Sequence, residues 1–572
     1  MAALGQYDWL LAIITIAFCF SAFGNGANDV ANSYATSVAA RTLTMIQVGF
    51  LSIVTEFVGA VALGARVTST IKNGIISIDR FEDRPGVLML AMTCAEVGSA
   101  TWLMVATRLG MPVSTTQTIV GALVGVGFAS QATIKWSWES GSVSQVAASW
   151  GIAPLIAGAM AAVIFGTIKY SVLDRKDPLK NALRLIPFYL AFTAAMLALF
   201  IVVEAPTAPS LEEFGAGKAC GIILGVFFGM LAIAYIFFMP YFTRRLIKGD
   251  ARLRWYHIPL GPMLRKDNVN LYFPGDPNGD VVIDHYESAH RAADVADSPV
   301  LKSNNEKDLG NNSPRETGVS KDPDSIDTDP EQNTLPPPAK DKRFMGPRER
   351  FLTPTAHLSM FHPQRLWSWT KFIVMQGVTR DCVSHDSKSL AKTHQRAVHY
   401  DNRVEHLWTY PQVASAILMS IAHGSNDVAN AVGPWSAAYS TFQAGEVATR
   451  SPTPVWMLVV AGLLLGLGFW VFGYHIIRSL GNKITQLSPT RGFSMELGAA
   501  ITVLLASRLG LPVSTTQCLT GATVGVALMN YDLGAVNWRQ VLFIFSGWVL
   551  TLPIAGLISG ILMVMALNAP HF

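Results

Sequence analysis

Two copies of one polar string, each set in apolar sequence, constrain this chain more than any other feature. Arg108-Leu109-Gly110-Met111-Pro112-Val113-Ser114-Thr115-Thr116-Gln117 returns as Arg508-Leu509-Gly510-Leu511-Pro512-Val513-Ser514-Thr515-Thr516-Gln517. From Ala106 to Val126, 15 of 21 positions match those of Ala506 to Val526. A second string repeats at nearly the same spacing: Gly26-Ala27-Asn28-Asp29-Val30-Ala31-Asn32 and Gly424-Ser425-Asn426-Asp427-Val428-Ala429-Asn430. An unpaired polar group in hydrocarbon costs several kcal/mol, so polar groups held inside apolar runs belong in a protein-lined cavity. Only 14% of the residues are charged and the mean hydropathy is +0.34. Soluble domains carry about 25% charged residues. The expected fold class is an all-α polytopic membrane protein.

A spanning helix needs about 20 apolar residues. Apolar segments fall near 9–39, 43–64, 86–107, 112–130, 145–168, 185–203 and 218–242, then near 407–440, 455–480, 493–507, 512–530 and 538–566. That predicts about twelve transmembrane segments, seven before a polar stretch at 244–403 and five after it. The Asn-Asp strings lie on the first and eighth segments, an odd shift, so the two copies run in opposite directions. This is the inverted-topology repeat of secondary transporters. Both segments are too long for one clean span, and each is expected to break at its Gly-rich string into two half-helices. The segments flanking Pro112 and Pro512 are joined by very few residues and are expected to form re-entrant hairpins, which leaves the parity unchanged.

Three parts follow: a membrane repeat over 1–243, a loop over 244–403 and a second repeat over 404–572. Arg244, Arg245, Lys248, Arg252, Arg254, Arg265 and Lys266 follow the seventh segment, and Lys169, Arg175, Lys176, Lys180 and Arg184 lie in another short connection. Glu204, Glu212 and Glu213 mark the opposite side. Basic flanks stay in the cytoplasm, so the loop is expected there and both termini outside, in a plasma-membrane protein. The loop is rich in Asp, Asn, Ser, Pro and Lys, and most of 270–400 is expected to be disordered. Ser298-Pro299, Ser313-Pro314 and Thr353-Pro354 are either phosphosites or chance pairs in a Pro-rich linker. The five cysteines show no metal-binding spacing, and no cleavable signal peptide is expected. The net charge of +4 carries no nucleic-acid signal.

The chemistry sits in the repeated strings. Proline suits the first turn of a helix, and Ser or Thr caps its free amides or adds hydroxyl donors. A helix N-terminus carries unpaired N–H groups and a partial positive charge, so it suits an anion. Two such tips from inverted halves would close around one tetrahedral oxyanion, with Ser114, Thr115, Thr116, Gln117, Ser514, Thr515, Thr516 and Gln517 as candidate ligands. The competing reading is a Pro kink whose hydroxyls bond back to the preceding turn. Intramembrane acids are costly and are functional candidates by default. Asp29 and Asp427 lie in the strings, Glu56 lies on the second segment, and Glu96 and Glu496 form a repeat pair. With Asn28, Asn426 and unwound backbone carbonyls at 26–32 and 424–430 they make an oxygen-rich set suited to a hard cation such as sodium. A carboxylate there is equally able to carry a proton. His423, where the first copy has Asn25, is either structural or a titrating switch. No resident cofactor is expected.

At these residues the chain resembles the inorganic phosphate transporter (PiT) family, most closely its fungal sodium–phosphate symporters. The match rests on both Asn-Asp strings and both Pro-Val-Ser-Thr-Thr strings, and covers about 1–245 and 404–566 but not the loop. It implies a homodimeric, inverted-repeat, cation-coupled phosphate symporter, with phosphate at the Ser/Thr tips and sodium near the Asn-Asp strings. It also implies that Glu56 and Glu496 matter for transport. The family pattern often has His after Ser-Thr-Thr, whereas this chain has Gln117 and Gln517. Gln carries no proton at neutral pH, which favours sodium coupling. The alternatives are proton-coupled uptake of phosphate, sulfate or arsenate, and a nutrient-sensing receptor that signals through the loop. Nothing in the sequence suggests an enzyme.

Overall fold

The structure is a computed structural model. It describes residues 4–64, 68, 75–138, 142–204, 215–266, 268–287, 345–383, 387–447, 453–509, 511 and 513–569. Pro512, Phe572, Ser298-Pro299, Ser313-Pro314 and most of the acidic connection at 204–214 lie outside the described residues.

Helices dominate, as apolar segments in hydrocarbon must bond their own backbone. The first half contains α1 (Asp8–Asn28), α2 (Val30–Ala39), α3 (Met45–Leu63), α4 (Pro85–Arg108), α5 (Thr115–Ala129), α6 (Val143–Ile168), α7 (Pro178–Glu204) and α8 (Ala216–Ile233). The loop contributes α9 (Pro363–Met375) and α10 (Lys388–Arg396). The second half contains α11 (Asn402–Ala444), α12 (Val455–Phe472), α13 (Tyr474–Leu480), α14 (Pro489–Arg508), α15 (Thr515–Leu528) and α16 (Trp538–Leu567). Among the described residues, eight helical stretches are long and apolar enough to cross a membrane.

The halves are oppositely directed, and direct contacts show it. Phe18 stacks on Trp435 at 3.9 Å between ring centroids, Asn25 Nδ2 donates to the Asp427 carbonyl at 3.3 Å, and Thr42 bonds Gln412. Numbering rises along α1–α2 as it falls along α11. The pairing of helices is mirrored too. α1 packs on α4 and α12, while α11 packs on α14 and α3; α5 packs on α16, while α15 packs on α6. The mirrored contacts are built on glycine. A Cβ on Gly125 would lie 2.1 Å from the Gly556 carbonyl, and one on Gly525 would lie 2.3 Å from that of Gly158. Small residues at equivalent places let backbones touch, which is how helices hold together where lipid is as apolar as leucine.

α5 has 15 residues and α15 has 14. They rise about 22 and 21 Å, short of a hydrocarbon core of about 30 Å. Each pairs with the helix before it, giving the two hairpins α4–α5 and α14–α15.

One expectation needs correction. The first Asn-Asp string does interrupt its helix, at Asp29, between α1 and α2. The second does not: α11 runs unbroken for 43 residues through 424–430. Asp427 and Asn430 are one helical turn apart, so their side chains reach the centre from one face without unwinding the backbone. Carbonyls in that string stay in the helix and are not free ligands. The described flanks of the loop dock on the helices. His285 Nδ1 lies 2.9 Å from the Ala40 carbonyl, Glu287 pairs with Arg41, and Tyr286 donates to Glu405 Oε1 at 2.8 Å. Glu405 Oε2 in turn accepts the Thr490 amide at 2.9 Å. The flank thus ties the ends of α2, α11 and α14 together, and burial pushes the pKa of His285 down. In the same flank Arg252 and Arg244 hold the Asp250 carboxyl down at about 2.

Candidate functional site

Ser114 and Ser514 cap α5 and α15. Their hydroxyl oxygens accept the amides of Gln117 at 3.1 Å and Gln517 at 3.3 Å. A serine there satisfies one of the four amides that a first turn leaves unpaired. The two tips abut: Thr116 Oγ1 lies 3.3 Å from the Val513 carbonyl, and Thr516 Oγ1 lies 3.2 Å from that of Val113.

Asp29 bridges both tips. Its Oδ2 accepts the Thr115 amide at 3.2 Å and the Thr115 hydroxyl at 2.7 Å, and its Oδ1 accepts the Thr516 hydroxyl at 2.9 Å. Asp427 Oδ2 accepts the Thr515 hydroxyl at 3.0 Å. The last asparagine of each string crosses to the opposite half. Asn32 Nδ2 donates to Thr516 Oγ1 at 2.7 Å, and Asn430 Nδ2 donates to Thr115 and Thr116 Oγ1 at 3.0 and 3.2 Å. The separate anion and cation sites read from the sequence therefore meet in one buried network.

His423 extends it. Its Nε2 lies 2.9 Å from Asp427 Oδ2 and its Nδ1 2.8 Å from Glu56 Oε2, while Glu56 Oε1 accepts Ser420 at 2.6 Å. Ligand atoms of Asp29, His423 and Asp427 all lie within 4.8 Å of one another. Two carboxylates this close, both buried, repel unless a cation or a proton offsets the charge. Four nearby amide oxygens, Asn32 Oδ1, Asn426 Oδ1, Gln117 Oε1 and Gln517 Oε1, are buried without a hydrogen-bond partner. Orphaned buried acceptors need an explanation, and a bound ligand is one.

Other sequence candidates lie elsewhere. Asn28 is engaged structurally, donating to Thr107 Oγ1 and the Met111 carbonyl and accepting the Val113 amide. It pins the turn before the first tip. Asn426 Nδ2 does the same with the Val513 carbonyl at 2.9 Å. Glu496 accepts Ser37 at 2.6 Å, Ser415 at 2.6 Å, Gln412 at 3.5 Å and the Thr36 hydroxyl. Ser37 follows Asp29 by two helical turns, about 12 Å. Glu96 is fully buried and faces a single hydroxyl, that of Ser21, outside ordinary hydrogen-bond geometry. Among the described residues no hydrogen bond joins either glutamate to Asp29 or Asp427.

Sequence reasoning left Asn32 and Asn430 unassigned and His423 undecided. The signal was present for the asparagines, as both stand three residues after the repeated Asp and so share its helix face. Nothing local announced Thr36, Ser37, Gln412 and Ser415 as partners of Glu496.

Comparison with known proteins agrees along the chain. The phosphate transporter family is matched over residues 25–559. The phosphate-repressible phosphate permease pho-4 of Neurospora crassa is 39% identical in an alignment that covers 100% of this chain and 99% of that protein. The sodium-dependent phosphate transporter 1-B of Danio rerio is 30% identical, covering 98% of this chain and 96% of the other. A solved structure, described as the sodium-dependent phosphate transporter, superposes with a TM-score of 0.62 at 24% identity, covering 98% of this chain and 99% of that one. That likeness speaks for the fold.

Proposed function

The chain belongs to the phosphate transporter family, and from its paired tips we propose that it imports inorganic phosphate together with sodium by alternating access between its inverted halves. It is a multi-pass membrane protein and a transporter, not an enzyme. The observation that carries the proposal is Asp29, whose carboxylate holds donors from both tips at once. Without a cation, the carboxylates of Asp29 and Asp427 occupy the hydroxyls an anion would use. Sodium among Asp29, Asp427 and the Asn oxygens offsets that charge. Thr115, Thr515 and Thr516, with the first-turn amides, are then free to turn to phosphate. Ser114 and Ser514 preset the tips, and Gln117 and Gln517 offer acceptors to a protonated phosphate oxygen. Glu56 steadies the cation site through His423. Each ligand favours the other, and the coupling is reciprocal.

Proteoliposomes test this directly. Phosphate uptake should need a sodium gradient and fall away when choline replaces sodium. Asp29→Asn and Asp427→Asn keep size and remove charge. Each should lower sodium-dependent uptake by about tenfold or more, the worth of one hydrogen bond to a charged group. Unchanged sodium activation in both variants overturns the cation assignment. We further place the protein in the plasma membrane as a homodimer, with repeats at 1–243 and 404–572, the 244–403 loop in the cytoplasm and both termini outside. The basic flanks support that orientation. An epitope tag after Phe572 should be reachable on intact cells; a requirement for permeabilisation reverses the orientation.

A further inference from the structure

We propose that the loop helix α9 is an interfacial anchor that lies on the membrane and gathers anionic phospholipid headgroups at the cytoplasmic mouth of the transporter. The proposal rests on the placement of the spanning helices, not on what they carry.

α9 has two unlike faces. Arg365, Ser368, Trp369, Phe372 and Met375, spaced three or four apart, are half-buried against the protein. The opposite stripe is open. Leu366, Trp367, Thr370, Ile373 and Val374 fall within about 120° of one another at 100° per residue, and Trp367 and Ile373 are 59% and 61% exposed. Just before the helix, Met360 and Phe361 are 58% and 87% exposed. An aqueous loop has no reason to hold a Trp, a Leu, an Ile and a Phe in water beside one another. A helix at a bilayer surface does, because it buries such a face at the boundary of headgroups and acyl chains.

The position of α9 agrees. Trp470, near the end of spanning helix α12, donates its indole N–H to the Val374 carbonyl at 2.6 Å. Trp470 also packs edge-on against Phe50, at 4.9 Å, near the start of spanning helix α3. Val378, after α9, reaches within 3.0 Å of where a Cβ on Gly49 would stand. The C-terminal end of α9 is thus pinned where two spans leave the bilayer, continuous with the lipid-facing surface. Tryptophan at such a level is what a membrane interface selects.

The charge selects the lipid. Between 345 and 375 four cations, Arg348, Arg350, Arg365 and Lys371, face one carboxylate, Glu349. Lys371 sits 5.4 Å from the Trp367 ring, on the edge of the open stripe. Basic side chains bordering an amphipathic face favour anionic headgroups. The three acidic residues of the other short connection, Glu204, Glu212 and Glu213, have no counterpart here.

The test uses the full chain in nanodiscs of phosphatidylcholine mixed with phosphatidylserine. A photocrosslinking benzoylphenylalanine replaces Trp367 on the open stripe or Trp369 on the half-buried face, and adducts are identified by mass. Position 367 should give lipid adducts, with phosphatidylserine enriched severalfold over its bulk share; position 369 should give intramolecular crosslinks. Arg348→Gln, Arg350→Gln and Lys371→Gln together should return the adducts to the bulk ratio while lipid crosslinking persists. Should that triple variant fail to fold, Lys371→Gln alone should lower the enrichment. Absence of lipid adducts at 367, or crosslinks there to a second protein chain, overturns the anchor. Adducts at the bulk ratio in the unmodified charge background overturn the headgroup selection. Phosphate uptake by the same variants in proteoliposomes separates any failure here from failure of the transport reading.

Discussion

Glu96 and Glu496 stand at equivalent places in the two inverted halves, yet their surroundings are opposite. Glu496 is gripped by Thr36, Ser37, Gln412 and Ser415. The Asn-Asp strings align with an offset of 398 (426 − 28), which sets Pro434, Trp435, Ile14 and Ala17 at the corresponding places around Glu96. Three of the four donors have become apolar, the fourth is Trp435, whose N–H is spent on Thr15, and Ser21 supplies the one hydroxyl that Glu96 faces. Trp435, where the other half has Ser37, stacks on Phe18 and meets Trp456 edge-on at 5.2 Å. The side reached by the termini is closed by aromatic packing, and the side reached by the loop is closed by a hydrogen-bonded carboxylate. A duplicated frame therefore does not give two equal gates. The core strings are alike in the two halves, whereas the flanks differ.

The largest effect should come from the aromatic seal. Trp435 is 3% exposed, and its indole N–H donates to Thr15 at 3.1 Å. Trp435→Ala should cost about 3–5 kcal/mol, as for other buried aromatics cut to alanine. It should also let a small aqueous thiol reagent reach a cysteine placed at Ile14. Stability in detergent and labelling rate both read it. A change below that range with no gain in labelling breaks the contrast on this side.

The polar seal comes next. Ser37→Ala removes one hydrogen bond to a carboxylate, about 1.5–3 kcal/mol. Glu496→Gln should cost at least as much, because the amide turns an acceptor into a donor facing hydroxyls that already donate. Glu96→Gln should cost little or stabilise, since a buried carboxyl that faces only the Ser21 hydroxyl exchanges for a neutral group. Equal destabilisation by the two Gln variants would show that the asymmetry lacks energetic content.

The comparison also marks what sequence could reveal. The fold class, the opposite direction of the halves and the hairpin tips followed from repeated strings and apolar length, both local properties. Asp29, Asp427, Thr115, Thr515 and Thr516 were legible because repetition singled them out. The unbroken α11 was not, since glycine content near Asp427 signals a break only where side chains cannot otherwise reach the centre. Nor were the partners of Glu496, because Thr36 and Gln412 come from different helices and share no spacing with it. The docked loop flanks escaped for a related reason. His285 and Tyr286 are ordinary loop residues until the Ala40 carbonyl and Glu405 are placed beside them.

The smallest effect tests the symmetric part. Ser114 and Ser514 make the same cap, to amides at 3.1 and 3.3 Å. Loss of an N-cap hydroxyl costs about 0.5–2 kcal/mol. Ser114→Ala and Ser514→Ala should therefore destabilise by about 1 kcal/mol each, and to the same extent, unlike the two glutamates. Each should also weaken phosphate binding at saturating sodium, because a frayed first turn no longer aims its amides. If both tips hold one phosphate, the double variant should depart from the sum of the singles, since sites sharing a ligand couple. Binding to the purified single and double variants decides it. Wild-type affinity in either single variant, or strict additivity in the double, would mean that the tips do not act on one anion, and the two halves would then differ at their centre as well as at their gates.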